Sequence, residues 1–343
     1  MPPRCAGKAG RRSVRLPQRR DPISPALAIP LFGLSVAVTL AAAALFADRL
    51  DHVGPRIGLS EPLVGLLTAL AADGPEISSA LIALSAGEKG VSMGVVLGSN
   101  VFNLAAMIGM SAVLAGAVHL TRRSLLVEGA VALLAAVIAA GLILGVISAG
   151  VAVAAFALVA VPYLVLLARG RLHTSTAEAR ARDRTIAAIP DPQQDMWKVV
   201  GLIVLAVALI ILGSEGMVHT ALSLAGDWHL SHVVVGVLIL AVVTSLPNAF
   251  TAIRLGTSDR GTALVSETLN SNTINLAGGV MLPALIVGLG GATGLVKFDL
   301  GWFTGMTIVT LLVLARPGGA RRFDGALIIA LYLVFVAVHV THG

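Results

Sequence analysis

The stretch Asp-Gly-Pro-Glu-Ile-Ser-Ser at 73–79 places a proline and two acids inside a long apolar segment. A second copy, Thr-Ser-Leu-Pro-Asn at 244–248, lies inside an apolar segment of the second half of the chain. Because proline lacks the amide hydrogen that bonds four residues back, each copy predicts a bend or break within a helix. Carbonyl groups released by such a break are tolerated at membrane depth where they line a cavity or bind an ion.

The two copies belong to a longer internal repeat, because residues 66–107 align without a gap with residues 238–279. In this register Gly-Ser-Asn-Val-Phe-Asn at 98–103 meets Asn-Ser-Asn-Thr-Ile-Asn at 270–275. Apolar helices match by chance at Ala and Leu, but one register that superposes a proline, a serine and two asparagines is hard to obtain accidentally. Internal repeats of this kind are typical of transporters.

The composition is that of a membrane protein, with 57% hydrophobic residues, 12% charged residues and a mean hydropathy of +0.92. About a quarter of the residues of a soluble domain are charged, so a soluble globular class is excluded. The sequence predicts an all-α polytopic membrane protein with about ten transmembrane helices, each long enough to cross about 30 Å of hydrocarbon. The predicted spans are 24–47, 59–86, 91–118, 124–147, 149–168, 197–220, 231–256, 262–291, 299–315 and 323–341.

The spans divide into two groups of five around a hydrophilic linker at 169–196. A basic N-terminal tail, 1–23, is predicted to be disordered; the first five-helix repeat covers 24–168 and the second covers 197–343. Because an odd number of spans separates equivalent positions, the two repeats run through the membrane in opposite senses. The prediction is therefore two inverted five-helix repeats.

Orientation follows from the basic residues of the predicted loops. They are concentrated on the side of the 169–196 linker, whereas the loops of the other side carry only Lys89 and Lys297. The positive-inside rule then makes the linker cytoplasmic and places the N-terminus outside, although the basic tail favours the opposite. We expect a multi-pass protein of the plasma (inner) membrane whose partners are cations and the lipid bilayer, with no nucleic acid. The sequence makes no prediction of oligomeric state.

Three acids fall within the repeated segments, namely Asp73, Glu76 and Glu267. A carboxylate at mid-membrane costs about 2.5–3.5 kcal/mol on insertion scales, so we expect a cation or a proton to neutralise them. The single cysteine, Cys5, excludes a thiolate site, and hard oxygen ligands suit Ca²⁺, Na⁺ or H⁺.

Hydroxyls and amides accompany the acids. Ser99 and Asn103 are four residues apart and share one helix face, as do Ser271 and Asn275, and Glu267 precedes Ser271 by four. Such side chains also form hydrogen bonds between membrane helices, and for a single Ser or Asn this structural role is as well supported as ion binding. For Glu76 beside a proline in a duplicated motif, ion binding is favoured.

At these motifs the chain resembles the cation/calcium exchanger superfamily, the sodium/calcium exchanger-like antiporters. Their two alpha-repeats carry Gly-Thr-Ser-Leu-Pro-Glu followed by Gly-Ser-Asn-Ile-Phe-Asn. The resemblance covers both repeats and extends over the chain after about residue 24. It implies ten helices in two inverted halves, an external N-terminus, and alternating access that exchanges Ca²⁺ against Na⁺ or H⁺.

Carried over by position, the resemblance implies that Glu76 is the acidic ligand of the first repeat. It also implies ligands from Ser99, Asn103, Thr244, Ser245, Ser271, Asn275 and the backbone carbonyls of Ala69 and Ala241. Asp73, Asn248 and Glu267 complete our candidate set. No cofactor is expected, since Ca²⁺ and Na⁺ or H⁺ are transported substrates.

Two departures bear on the ion. Asn248 stands where the family has its second central glutamate, and Asp73 stands where it has a serine. Ion preference is therefore not inherited, and a Na⁺/H⁺ antiporter that does not carry Ca²⁺ is the alternative. A non-transporting homologue is a further possibility, as is an intramembrane enzyme that uses Asp73 and Glu76 as an acid pair. We predict no enzyme, because no known hydrolase or diphosphate motif occurs.

Other polar residues of the spans are predicted to reach the membrane interface. Glu128 lies near the start of its span, Glu215 near the end of its span, and His339 at the end of the last. Side chains at these positions are more often solvated than functional.

Overall fold

The structure, a computed structural model, describes residues 24–53, 69–168, 196–228, 230–289 and 291–342. The elements of the first half are α1 (Pro25–Val53), α2 (Gly74–Ser85), α3 (Lys89–Asn103, continued by a π-helical segment Leu104–Gly109 and by Met110–Ala115), β1 (Ala117–Val118), α4 (Arg122–Ile143) and α5 (Ala149–Ala168). Residues 69–72 form a helical turn before α2.

The second half contributes six helices, because the helix before its break is also described. Its elements are α6 (Met196–Trp228), α7 (His232–Thr244, π-helical at Val235–Leu240), α8 (Leu246–Thr257), α9 (Gly261–Leu276, continued by Ala277–Met281 and Leu282–Ala284), α10 (Gly294–Leu314), β2 (Ala320–Arg321) and α11 (Arg322–His342). β1 and β2 pair antiparallel as two short segments.

Three predicted segments lie wholly or partly outside the described residues. They are the tail 1–23, nearly all of the linker 169–196, and the first part of the second predicted span, 59–86.

Within the described residues, seven helices are each long and apolar enough to cross a membrane: α1, α3, α4, α5, α6, α10 and α11. The pair α7 and α8 passes the same test together, with a bend of 49° between its members. The helical, membrane-spanning class is therefore as predicted. The count of ten spans and their inverted arrangement remain predictions.

Equivalent helices begin at equivalent positions of the two halves. α4 is capped by Thr121, whose hydroxyl accepts from the amide of Ser124, and α10 is capped by Thr293, whose hydroxyl accepts from the amide of Val296. Thr and Ser are favoured at this position because their oxygen satisfies an amide left free at the helix start. The two caps lie at matching positions of the aligned halves, so the repeat extends beyond the aligned motifs.

The core surrounds α3, which is buried along most of its length. Gly94 and Gly98 let α3 cross α7 closely, because a Cβ on Gly98 would lie 2.8 Å from the Cα of Val237. Small residues permit such backbone approach between membrane helices. This crossing brings the Ser99 hydroxyl within 3.4 Å of the Ala241 carbonyl oxygen and places the motif of α3 beside the helix break of the second half.

Candidate ion-binding site

Both prolines lie in the first turn of a helix that follows a break. Residues 69–72 are separated from α2 by Asp73, and α7 is separated from α8 by Ser245. The backbone angles at the breaks are nearly equal, with φ −80° and ψ −3° at Asp73 and φ −86° and ψ −1° at Ser245. Proline is compatible with a first helical turn, where its missing amide hydrogen costs nothing. The predicted helix breaks therefore form with the same geometry in both halves.

The side chains at the two breaks meet in the protein interior. Asn248 Nδ2 donates to Asp73 Oδ1 at 2.7 Å and lies 3.3 Å from Glu76 Oε1. Asp73 is 1% exposed and Glu76 is fully buried. Both distances share one nitrogen, so the two carboxylate oxygens are at most about 6 Å apart. The acids of the first break and the amide of the second form one cluster.

Ser271 of α9 joins this cluster. Its hydroxyl donates to Asp73 Oδ1 at 2.5 Å, and it accepts from Asn103 Nδ2 at 3.1 Å and from Asn248 Nδ2 at 3.3 Å. One hydroxyl thus contacts both breaks and α3. Hydrogen bonds to a charged acceptor are among the stronger ones in proteins, so the bond from Ser271 to Asp73 is expected to contribute most of these three.

Four asparagines of α3 and α9 form a reciprocal arrangement, which we call the asparagine clasp: Asn100, Asn103, Asn272 and Asn275. Asn100 Nδ2 donates to the Asn272 carbonyl at 3.2 Å, and Asn272 Nδ2 donates to the Asn100 carbonyl at 3.1 Å. Asn103 Nδ2 donates to Asn272 Oδ1 at 3.1 Å, and Asn275 Nδ2 donates to Asn100 Oδ1 at 3.2 Å. Each bond has a counterpart under exchange of the halves.

Several oxygens of this cluster accept no hydrogen bond from the described part of the chain. They are Asp73 Oδ2, Glu76 Oε2, Asn103 Oδ1 and Asn275 Oδ1, all buried. An unpaired buried acceptor is costly, since transfer out of water is not compensated. Two carboxylate and two amide oxygens without donors are the ligand type that a hard cation selects.

The remaining hydroxyls of the candidate set, those of Ser99, Thr244 and Ser245, lie close to the second break. Thr244 Oγ1 donates to the Leu240 carbonyl at 2.8 Å, and Ser99 Oγ bonds the Ala241 carbonyl. The Ser245 hydroxyl lies beside the Glu76 carboxyl.

The two backbone carbonyls predicted as ligands each accept a helix amide. The Ala69 carbonyl accepts from Asp73 at 2.9 Å, and the Ala241 carbonyl accepts from Ser245 at 3.2 Å. Both carbonyls lie in the last helical turn before a break, and their role as ligands, which the resemblance implies, remains a prediction.

Glu267 lies one turn before Ser271 on α9 and is half-buried. Its carboxyl is within electrostatic reach of Asp73 and of Arg260, and the described residues include no hydrogen-bond partner for it. The structure therefore places the third predicted acid beside the cluster rather than within its hydrogen bonds.

Two predictions about peripheral polar groups are wrong. Glu128 is 2% exposed and accepts from Ser266 Oγ at 2.6 Å, and His339 is fully buried with its Nε2 at 2.8 Å from Asp299 Oδ1. Position near a helix end predicts depth along the membrane normal, but neighbouring helices cover these faces. In contrast, the Glu215 side chain is 46% exposed.

The sequence profile of the family described as "Sodium/calcium exchanger protein" matches residues 27–169 and 198–341, that is, each half separately. The curated protein "Putative antiporter CaxA" of Alkalimonas amylolytica is 31% identical over 83 residues, which are 24% of this chain and 26% of that protein. The alignment thus spans about a quarter of the curated relative.

Three solved structures have the same fold as this chain. The H+/Ca2+ exchanger CAX has a TM-score of 0.71 at 16% identity and covers 92% of this chain and 86% of its own. YfkE has a TM-score of 0.66 at 17% identity, with 92% and 96% covered. The sodium-calcium exchanger NCX_Mj, soaked with Na⁺ and Sr²⁺, has a TM-score of 0.61 at 19% identity, with 91% and 99% covered.

These matches agree with the apolar helices of the structure and with the motifs of the sequence. They confirm the resemblance to the cation/calcium exchangers and an integral multi-pass membrane protein. The chain belongs to the sodium/calcium exchanger family.

Proposed function

We propose that this protein is a cation antiporter that exchanges Ca²⁺ against Na⁺ or H⁺ by alternating access, at a site built on Asp73 and Glu76. The observation that carries the proposal is the pair of buried carboxyl groups bridged by Asn248, each with one oxygen left without a donor among the described residues. Family membership favours transport over the alternative of an intramembrane enzyme.

The spacing of the two carboxyl groups suits a divalent ion. Ca²⁺ binds oxygens at about 2.3–2.6 Å, so two ligands of one ion lie within about 5 Å of each other. The Asp73 and Glu76 oxygens that both contact Asn248 Nδ2 are at most about 6 Å apart. A small rotation of either side chain would bring them within about 5 Å of each other. A divalent cation would neutralise both charges at once.

Asn248 supports this exchange of partners. Its NH₂ group faces three acceptors, the carboxyl groups of Asp73 and Glu76 and the hydroxyl of Ser271, so the donor end of the amide points toward the acid pair. Rotation of the amide by half a turn would present Oδ1 instead. The same residue can therefore hold the acids together without an ion and act as a carbonyl ligand with one.

Many transporters achieve alternating access by moving two structurally related halves against each other. We propose that the ten predicted spans form two inverted five-helix repeats, with the N-terminus outside and the linker 169–196 in the cytoplasm. The matched bounds of α2 and α8 support this, as do the paired bonds of the asparagine clasp and the separate family match of each half.

A Na⁺/H⁺ antiporter that does not carry Ca²⁺ is the second candidate. It is favoured by Asn248, because the second break contributes an amide where the family motif has a carboxylate. With one acid fewer at that position, a monovalent ion would leave less uncompensated charge.

The test is radioactive Ca²⁺ uptake into proteoliposomes, driven in turn by a Na⁺ gradient and by a pH gradient. We expect gradient-driven uptake in the wild type and its loss in Glu76→Gln. Glu215→Gln is the matched control, because it also removes a carboxylate from a membrane helix but at a half-exposed position. Na⁺-dependent proton flux that is insensitive to Ca²⁺ would select the second candidate, and undiminished uptake in Glu76→Gln would remove Glu76 from the mechanism.

A further inference from the structure

A second buried acid lies outside the candidate ion site. Glu128 of α4 is 2% exposed, its Oε2 accepts from Ser266 Oγ of α9 at 2.6 Å, and its Oε1 has no hydrogen-bond partner in the described part of the chain. Ser266 is itself buried. The ion site does not use either residue.

The surroundings of Glu128 are neutral or apolar. Tyr163 of α5 packs against Val131 and Val127 of α4, on either side of Glu128 in sequence, and its hydroxyl donates to Asn270 Oδ1 at 2.8 Å. α10 faces this part of α4 with Leu311, which lies against Gly129. Glu128 thus has the Ser266 hydroxyl as its hydrogen-bond partner and Tyr163 within electrostatic reach, but no paired cation among the described residues.

The charged and titratable groups on the packed elements do not compensate Glu128. α5 contributes Tyr163, and α9 contributes Glu267, a further acid, with Arg260 at its first turn. On α4 itself, Arg122 and Arg123 are exposed at the helix start. An ionised carboxylate in such surroundings costs several kcal/mol, so a bound proton is the simplest way to neutralise it. Ser266 donates to one oxygen, which leaves the other oxygen available to carry that proton.

α9 connects this acid to the ion site, because it carries two polar faces side by side. Ser266 and Asn270, four residues apart, face α4 and α5, whereas Glu267 and Ser271, also four apart, face the acid pair. Each residue of the first face directly precedes one of the second. A change in charge on one side of α9 therefore acts on the other across the width of a single helix.

Glu128 also lies nearer than the ion site to the end of the protein where α4 and α9 begin. The starts of α4 and α9 lie together, since a Cβ on Gly261 would be 2.8 Å from the backbone nitrogen of His119, just before α4. At 1.5 Å per residue, Glu128 is about 9 Å along α4 from Arg122, and Ser271 is about 15 Å along α9 from Gly261. From this end of the protein, Glu128 is reached before the Asp73 and Glu76 pair.

We propose that Glu128, with Ser266, Tyr163 and Asn270, forms a proton-binding site that supplies the counter-ion of transport. The inference rests on the proposed antiport function and makes H⁺ the ion exchanged against the cation at Asp73 and Glu76. Proton release from Glu128 toward the near membrane face leaves a negative charge beside α9, which favours cation entry at the neighbouring site.

The first test is infrared spectroscopy of the purified protein, which does not depend on transport. We expect the wild type to show the carbonyl stretch of a protonated carboxyl group that is absent in Glu128→Gln. In Ser266→Ala the band should persist and move to higher frequency, because the carbonyl loses a hydrogen-bond donor. A wild-type spectrum without a band that Glu128→Gln removes would overturn the proposal.

The second test compares two fluxes in proteoliposomes, with Glu215→Gln as the control. Glu128→Gln is expected to lower pH-gradient-driven Ca²⁺ uptake by about tenfold more than it lowers Ca²⁺/Ca²⁺ self-exchange. The proton assignment would be overturned if Glu128→Gln lowered both fluxes equally, or if it lowered only Na⁺-driven Ca²⁺ uptake. If the wild type moves no Ca²⁺, the proposed function fails while the infrared result still decides whether Glu128 holds a proton.

Discussion

The two helix breaks share a backbone and differ in chemistry. Asp73 and Ser245 occupy the same conformation, and each is followed two residues later by proline. The first break contributes two carboxyl groups, from Asp73 and Glu76, whereas the second contributes the Asn248 amide and hydroxyls. The proline determines the backbone shape of each break, whereas the residues around it can differ in charge between the two breaks.

This division has a physical consequence for the electrostatics of the acid pair. Two carboxylates within about 6 Å repel each other, and the only donors the second break offers them are neutral. A second glutamate at Asn248 would add a charge and remove a donor. The uneven pair is therefore better suited to a site that is stable both with and without its ion than a symmetric acidic pair would be.

The largest expected effect comes from removing the acids of the first break. In the double variant Asp73→Asn and Glu76→Gln, Ca²⁺ uptake by proteoliposomes should fall to the level of protein-free vesicles. The variant should melt at no lower temperature without Ca²⁺, because two buried carboxylates become amides. Residual uptake well above background would mean that Glu267 or another acid carries the ion.

Making the two breaks alike is the next test. Asn248→Glu should lower the melting temperature in the absence of Ca²⁺, since it replaces a donor by a third carboxylate at the acid pair. Ca²⁺ should then raise the melting temperature more than it does in the wild type. Asn248→Gln keeps the amide and serves as the control. If Ca²⁺ raises the melting temperature of Asn248→Glu no more than that of the wild type, Asn248 is not part of the ion site.

Alanine variants of the asparagine clasp test whether this symmetric part of the site stabilises the folded protein. Asn272→Ala removes the bond to the Asn100 carbonyl and the acceptor of Asn103, so we expect a loss of about 1–3 kcal/mol in stability. Asn103→Ala should cost a similar amount, and the double variant of Asn103 and Asn272 less than the sum, because both single variants lose the bond between Asn103 Nδ2 and Asn272 Oδ1. Strictly additive losses, measured by denaturant unfolding, would contradict a reciprocal clasp.

The smallest expected difference separates the two equivalent serines. Ser271→Ala removes a 2.5 Å bond to Asp73 and should weaken Ca²⁺-dependent stabilisation by about 1.5–3 kcal/mol if Asp73 is charged. Ser99→Ala removes a 3.4 Å bond to a neutral carbonyl and should cost less than about 1 kcal/mol. Equal effects in a Ca²⁺ titration would show that the halves act symmetrically despite their different acids.

Features that depend on neighbouring residues were predictable from the amino-acid sequence. Apolar runs predict membrane helices because hydrocarbon leaves backbone groups no partner outside the helix. Pro75 and Pro247 predict the breaks, and the shared register of the halves predicts that the acids and amides of the motifs lie near each other. Asp73, Glu76, Asn248 and Ser271 are joined by hydrogen bonds in the structure, as the motifs suggested.

Which face of each helix is covered, and by which neighbour, was not predictable from local sequence and became visible in the packing of the helices. Asn248 donates to an acid 175 residues away, and Glu128 meets a serine 138 residues away. Helical periodicity describes one helix at a time, so it cannot tell that α9 covers Glu128 or that α10 brings Asp299 to His339. These contacts depend on how helices distant in the chain cross, and the crossing is determined by packing, such as the close approach at Gly98, rather than by local sequence.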